Sequence, residues 1–278
     1  MKINFLFAAI LCLVGTFSLS AQSIHFNYGQ DNFLRLELNR PVFSDNFGDG
    51  IGFFSFASYL NGEFKVGQKG KISFELPYSR SSIEFFGSES NLGNIAIGYQ
   101  LRNQVNHNYL QFNLRLPTGG DDAFTSLLLL IGDITERLTA SDPDLVSIES
   151  SYNLESKTNQ GLYYRFRPGL QLIIPTEDNV DTELLLNLNI IGGYRTDAID
   201  INAGFTTTSL ITEADPDFDD RVIRQFSTNF TYTAGAFKPG LLFRIPLGDL
   251  VSDVYDLSIG VHLTYTFGGK TELTSANN

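Results

Sequence analysis

The feature of this sequence that most constrains its fold is a regular alternation of apolar and polar residues. In the segment 161–174 the even positions carry leucine, isoleucine, tyrosine, phenylalanine and one proline, whereas the odd positions include Arg165, Arg167 and Gln171. Because successive side chains of a β-strand point to opposite faces, this pattern predicts a strand with one apolar and one polar face. The same alternation recurs in 109–116, 181–194 and 255–267.

Weaker alternation in further segments brings the predicted total to about twelve strands. These segments are 33–38, 52–66, 70–78, 93–102, 145–154, 198–206, 221–232 and 236–247. Many of the segments exceed the roughly five or six residues of strands in soluble sheets. They reach the roughly 9–11 residues that a tilted strand needs to cross the hydrocarbon layer. The predicted fold class is therefore all-β, an antiparallel transmembrane β-barrel of about twelve strands.

The connections between the predicted strands alternate in length. The long connections are 39–51, 79–92, 117–144, 175–180, 207–220 and 248–254. The short connections are 67–69, 103–108, 155–160, 195–197 and 233–235. Bacterial barrels have short periplasmic turns and longer outer loops, whereas nothing in a soluble β-sandwich imposes this order. The alternation therefore favours a barrel and places the long loops on the outer side.

The longest outer loop contains a segment with a different period. Between residues 122 and 140, apolar residues recur at helical spacing, and they are Phe124, Leu127, Leu128, Ile131, Ile134 and Leu138. This spacing predicts a short helix, which either folds into the barrel mouth or lies on the membrane rim. The alternative is that 127–131 forms one more strand.

The first residues have the layout of a secretory signal peptide. Met1 and Lys2 give a positively charged start, the segment 5–17 is apolar, and 18–22 supplies small residues for cleavage. The predicted organisation is a signal peptide at 1–21, the barrel at 22–267 and a polar C-terminal tail at 268–278. The one cysteine, Cys12, lies in the signal peptide, so the mature barrel has no disulfide and no thiol nucleophile.

Composition argues against several kinds of partner. The chain has 31 acidic and 19 basic residues, a formal net charge of −12. Nucleic acid is therefore not an expected partner, because phosphates attract basic surfaces. His25, His107 and His262 show no metal-ligand spacing, and neither a metal site nor a cofactor is predicted. The acidic run 215–220 is interpreted as a solvated loop, with a Ca²⁺ site as the alternative.

The polar faces of the strands would line the lumen, and they carry both signs of charge. The candidate lumen-lining residues are Arg102, Arg115, Arg165, Arg167, Glu183, Asn187, Asn189, Arg244 and His262. The same alternation puts Tyr255 on the apolar face and Asp256 on the polar face. A lumen with both signs forms either a water-filled selective pore or a closed network of ion pairs. The sequence leaves these two alternatives open.

His262 is a candidate for a catalytic residue. It shares the polar face with Ser258 and Thr264, which points it into the lumen rather than towards the lipid where a lipid-hydrolysing barrel would need it. A solvated or hydrogen-bonded lumen histidine explains the position better. We therefore predict no catalytic residue and no enzymatic activity.

The segment 92–119 carries a resemblance to a known family. Leu92–Tyr99 reads LGNIAIGY, and Leu114–Gly119 reads LRLPTG. These motifs resemble those of the transporter-like family associated with phenol meta-pathway degradation, in which a GLGD…LGLKY strand precedes a strand that ends in LPTG. Asn94 stands where that family usually has aspartate. The resemblance implies a barrel related to fatty-acid and aromatic-hydrocarbon channels, and it brings no catalytic residue.

These features lead to a functional hypothesis. The chain is predicted to be a channel for passive uptake of small molecules, hydrophobic or aromatic ones included, in the outer membrane of a Gram-negative cell. The expected partners are outer-membrane lipid, a small-molecule solute and the barrel assembly machinery, whose recognition signal resembles the terminal aromatic strand ending at Phe267. Two alternatives remain, a structural or surface-binding barrel without transport and a lipid-modifying barrel enzyme.

Overall fold

The structure, a computed structural model, describes residues 32–44, 51–52, 54–83, 87–102, 108–156, 160–177, 180–212 and 221–268. The signal peptide, the acidic run 215–220, His25 and His107 lie outside the described residues. So does the tail after residue 268.

Long antiparallel strands make up most of the described chain. They are β1 (Asn32–Phe43), β2 (Phe56–Val66), β3 (Gly70–Ile83), β4 (Gly87–Leu92), β5 (Ala96–Arg102), β6 (Tyr109–Arg115), β7 (Leu145–Glu155), β8 (Gly161–Pro175), β9 (Glu183–Arg195), β10 (Ile199–Leu210), β11 (Val222–Tyr232), β12 (Phe237–Leu247) and β13 (Tyr255–Phe267). Apart from β4, which among the described strands pairs only with β3, consecutive strands pair in sequence order, and β1 also pairs with β13, so the sheet closes on itself. The predicted antiparallel barrel of about twelve strands is confirmed.

The strands β4 and β5 together fill a single position in the barrel wall. β3 pairs with β5 along its first half and with β4 along its second half. Pro77 lies between the two halves and has no N–H to donate, while its carbonyl accepts a hydrogen bond from Gly93 N at 3.0 Å. The wall therefore has twelve strand positions. Much of the segment 79–92, expected as a loop, is strand.

The helix predicted in the longest outer loop is present as α1 (Ala123–Gly132). Asp122 caps it, because its carboxylate accepts a hydrogen bond from Thr125 N at 2.8 Å. A 3-10 turn follows at Leu138–Ala140, and a one-turn helix, α2 (Asp249–Ser252), connects β12 to β13. The alternative of a further strand at 127–131 is wrong. Among the described residues, no helix has the length and apolarity needed to cross a membrane.

The outward face of the wall is apolar. Along β8, Leu162, Tyr164 and Phe166 are exposed, whereas Tyr163 and Arg165 between them are buried. Soluble proteins rarely expose such a continuous apolar surface, and hydrocarbon lipid is a favourable solvent for it. The alternation read from the sequence therefore separates a lipid-facing side from an inward side.

Aromatic rings gather on the outward face at the end with the short turns. The ring centroid of Phe64 lies 6.0 Å from that of Phe74 and 6.0 Å from that of Phe267, and the centroids of Tyr265 and Phe237 are 4.8 Å apart. Aromatic girdles of this kind are typical of the membrane–water interface in transmembrane barrels. The last strand thus contributes its terminal rings to the girdle.

The prediction for the start of the last strand is wrong. Tyr255 was expected to face the lipid, and Asp256 was expected to face inward. The register between β1 and β13 shifts there, so that Val42 pairs with Leu257 while Phe43 pairs with Tyr255. This β-bulge turns the Tyr255 side chain inward, where it is buried, and leaves Asp256 exposed.

Candidate functional site

The inward face of the wall holds most of the residues that the sequence proposed for the lumen. Seven of the nine are buried, and they are Arg115, Arg165, Arg167, Asn187, Asn189, Arg244 and His262. Arg102 lies near the short-turn end, with its guanidinium carbon 4.5 Å from the centroid of the Tyr109 ring. Glu183 begins β9 at the opposite end and is partly exposed. The two partly exposed candidates therefore lie at opposite ends of the barrel.

The loop between β6 and β7, residues 116–144, folds into the lumen, and we call it the plug. Its main chain accepts hydrogen bonds from wall side chains, among them Tyr59 Oη to Leu129 O at 2.8 Å and Arg244 Nη1 to Gly132 O at 2.9 Å. On the far side, the hydroxyls of Thr135 and Thr206 are 2.7 Å apart. Because these wall residues lie on β2, β12 and β10, the plug crosses the lumen. Of the two positions predicted for the helix, the mouth is therefore the correct one.

The outer part of the plug is apolar. Leu128, Ile131 and Ile134 are buried in one cluster with Val251 and Tyr255 of the wall and its last loop. Burying one such aliphatic side chain contributes about 1.5–3 kcal/mol. The helix therefore packs in the mouth as a small hydrophobic core, which explains why the β-bulge brings Tyr255 inside.

The inner part of the plug is bound by a network of ion pairs centred on Glu37. Its carboxylate lies 3.1 Å from Arg35, 2.9 Å from Arg244 and 2.9 Å from Arg137 of the plug. Arg137 also pairs with Glu75 at 2.7 Å. Burial alone would lower the pKa of Arg137, but the carboxylates of Glu37 and Glu75 raise it well above its ordinary value. Arg137 is therefore held as a cation inside the barrel.

Two plug carboxylates pair with arginines of the wall. Asp133 lies 3.1 Å from Arg244 and accepts a hydrogen bond from Gln225 at 3.2 Å. Glu136 lies 2.7 Å from Arg167 and accepts a hydrogen bond from Asn189 at 3.1 Å. Removing one partner of a buried ion pair typically costs about 3–5 kcal/mol, because the other charge stays behind. These contacts fix the depth of the plug.

Sequence reasoning missed the three charged plug residues that pair with the wall, which are Asp133, Glu136 and Arg137. A signal for them was available, because they follow an apolar helix directly and charged residues there need partners. The alternation of apolar and polar residues could not reveal these three residues, because it identifies the faces of strands and the plug is not a strand.

A cavity of about 70 Å³ lies beside the plug tip. Its lining includes Glu63, Glu75 and Glu149 of the wall together with Glu136 and Arg137 of the plug. A space of this size holds a few water molecules. The plug tip and the wall charges thus leave little free volume at this level of the lumen.

His262 is part of a hydrogen-bonded group rather than a catalytic pair. Its Nε2 lies 2.9 Å from Asn229 Oδ1 and 3.3 Å from Thr231 Oγ1. Gly240 lies opposite the ring and leaves room for it, because a Cβ added at Gly240 would come 2.2 Å from Nε2. The Ser258 hydroxyl makes no hydrogen bond in the structure. The described residues also contain no group of three or more histidine, cysteine or acidic side chains placed to hold a metal ion.

Comparison with known proteins finds similarity in structure. No family model matches the chain, and no curated protein matches it. The COG4313 outer membrane channel from Pseudomonas putida F1 aligns with a TM-score of 0.58 and 11% identity, over 89% of this chain and 100% of that one. The NanC porin aligns with a TM-score of 0.51 and 7% identity, over 85% and 100%. LpxR from Salmonella typhimurium aligns with a TM-score of 0.48 and 10% identity, over 84% and 100%.

The fold is that of an outer-membrane β-barrel. Identities this low establish the fold alone, and the likeness to LpxR is too weak to carry an argument. The two stronger similarities are to a channel and a porin. The predicted outer-membrane barrel is confirmed at the level of the fold.

Proposed function

We propose that the protein is an outer-membrane channel for small molecules that its own plug closes in this structure. The observation that carries the proposal is that the plug is separate from the wall. β6 and β7, which the plug connects, pair directly with each other from Tyr109–Asn153 to Arg115–Ser147. The barrel would therefore stay closed as a sheet if the plug moved out, and the lumen would open.

The wall that faces the plug suits a water-filled passage. Arg115, Arg165 and Arg167 lie on its inward side together with Asn187 and Asn189. Polar inward faces of this kind line the channels of porins. Solutes would then cross by diffusion, with the arginines setting the polarity of the wall. Hydrophobic or aromatic solutes, which the family resemblance suggests, belong to the same proposal.

The proposal predicts that removing the plug opens the barrel. Replacing 118–142 with a short Gly-Ser linker should convert a barrel with rare openings into one that conducts steadily in planar bilayers and admits small sugars in liposome swelling. The matched control is a deletion of 176–182, an outer loop that is exposed where the structure describes it. It should behave like the wild type. If neither the wild type nor the plug deletion passes ions or solutes, the channel proposal fails.

A second function is favoured by a different observation. The plug packs tightly, and its buried ion pairs hold it to the wall at Glu37, Glu75, Arg167 and Arg244. A barrel that never opens would be a structural or surface-binding protein. Deletion of 121–140 would then abolish binding of a surface partner while the barrel still assembles, and no conductance would appear.

We interpret the barrel as having no enzymatic role. His262 contacts Asn229 and Thr231, and Ser258 offers it no nucleophile within hydrogen-bonding distance.

The partners of the barrel would be outer-membrane lipid around the wall, a small solute in the lumen and the barrel assembly machinery during insertion.

A further inference from the structure

The inward face of the wall carries basic and amide side chains that bind carboxylates of the plug. Arg167 on β8 pairs with Glu136, and Asn189 on β9 donates to the same carboxylate. Arg244 on β12 pairs with Asp133 as well as with Glu37 of the wall, and Gln225 on β11 donates to Asp133. On the wall, each of these two plug carboxylates thus meets one guanidinium and one amide.

The arrangement has the chemistry of a recognition site for carboxylates. A guanidinium matches a carboxylate in shape and charge, and a neutral amide adds a directional donor without adding charge. Arg167 and Arg244 are almost completely buried, at 2% and 0% exposure. Among the described residues, the carboxylate paired with Arg167 is that of the plug residue Glu136. When the plug leaves, this buried cation needs a new anion.

The orphaned atoms of the two arginines point the same way. Arg167 Nη1 and Arg244 Nε are buried donors that find no hydrogen-bond acceptor in the structure. A donor buried without an acceptor is costly, so each arginine has capacity beyond the plug contact it makes. The plug carboxylates therefore occupy these arginines without saturating them.

We propose that Arg167, Asn189, Gln225 and Arg244 form a binding site for small organic carboxylates, and that Asp133 and Glu136 of the plug occupy it as built-in competitors. A solute with one or two carboxylates would replace them and favour the open barrel. The inference deepens the proposed channel function and rests on it in one respect, that the solute must reach the lumen.

The plug lowers the apparent affinity of the site for free carboxylates. Its own carboxylates are attached to the same chain, so they compete at a high effective concentration. Only the fraction of molecules with the plug displaced binds solute. The apparent dissociation constant is therefore the intrinsic constant divided by that fraction. Neutralising the plug carboxylates should therefore tighten solute binding.

The test compares wild type with the double variant Asp133→Asn/Glu136→Gln, purified in detergent. The probe is glutarate, a small dicarboxylate, and the neutral diamide glutaramide controls for shape. The double variant should bind glutarate at least about tenfold more tightly than wild type by calorimetry, because its plug side chains no longer compete as anions. Glutarate should also raise its melting temperature, whereas glutaramide should do neither.

Two further variants test whether the change in glutarate binding is specific to this site. Asp121→Asn/Asp144→Asn removes two exposed carboxylates at either end of the same loop and should bind glutarate like wild type. Adding Arg167→Gln to the double variant should weaken glutarate binding at least about tenfold. If the double variant does not fold, Glu136→Gln alone is measured, with tighter binding expected in the same direction.

The outcome is independent of conductance, so the two proposals fail separately. Glutarate binding no tighter in the neutralised variant than in wild type, or equal binding of glutaramide, would overturn the carboxylate site even if the plug-deleted barrel conducts. A barrel that binds glutarate as expected but never conducts would retain the site and lose the channel. In conducting bilayers, the double variant should shift the reversal potential in a KCl gradient towards anion selectivity.

Discussion

At the scale of single residues, Asn94 shows why a side chain that departs from a family pattern can be required. Its Nδ2 donates to the carbonyl oxygens of Thr139, at 3.1 Å, and Asp142, while its Oδ1 accepts from Gly119 N at 2.9 Å. The residue is buried. An aspartate could accept but could not donate hydrogen bonds. Its negatively charged carboxylate would therefore lie against two carbonyl oxygens.

We therefore expect Asn94→Asp to destabilise the barrel by about 1–3 kcal/mol, with the loss concentrated where the plug returns to β7. The midpoint of urea unfolding in detergent micelles measures it. Asn91→Asp is the control. The Oδ1 of Asn91 accepts a hydrogen bond from Gly120 N at 3.0 Å, and a carboxylate oxygen can accept the same bond. Equal stability of the two variants would show that the donor role of Asn94 is unimportant.

At the scale of elements, the cap of α1 makes the helix sensitive to acid. Hydrogen bonds from the hydroxyl and the backbone N–H of Thr125 hold the pKa of Asp122 below its ordinary value. A group whose pKa is depressed on folding contributes stability above its unfolded pKa, about 3.9 for aspartate. That contribution is lost as the pH falls through the depressed value.

The first turn of α1 should therefore lose protection from hydrogen exchange below about pH 4. Asp122→Asn keeps a capping oxygen without the charge, so its helix should lose this pH dependence. Asp122→Ala should weaken the turn at every pH, by about 0.5–2 kcal/mol. The exposed neighbour supplies the control, since Asp121→Asn should leave the profile as in wild type. A wild-type profile that does not change with pH would contradict the capping account.

The sequence predicts those features of the strands that depend only on residues close together in the chain. Alternation depends only on neighbouring residues, and it placed the side chains of Arg167 and Asn189 on the buried face. The bulge that turns Tyr255 inward depends on the pairing of β13 with β1, at the other end of the chain. Likewise, the break between β4 and β5 faces Pro77 on a neighbouring strand. Neither cause is visible within the segment it affects.

At the scale of the whole molecule, the sequence left open whether the lumen is a pore or a closed network. The charges of the wall were visible, but the partners that they meet depend on the path of the plug. Asp133 and Arg244 lie far apart in sequence and come within 3.1 Å of each other only because 116–144 turns inward. The periodicity of a loop helix predicts its apolar stripe and not the direction in which the loop folds.

The central claim, that the plug must leave the lumen for solutes to pass, is tested most directly by tying it in place. The one cysteine of the sequence, Cys12, lies in the predicted signal peptide, and the hydroxyls of Thr135 and Thr206 are 2.7 Å apart, so Thr135→Cys/Thr206→Cys places one thiol on the plug and one on the wall. In planar bilayers the oxidised variant, with its cross-link verified by mass spectrometry, should show no openings. Reduction should restore them, and Thr135→Cys alone should not respond to oxidation. Equal conductance in the oxidised and reduced states would contradict the claim.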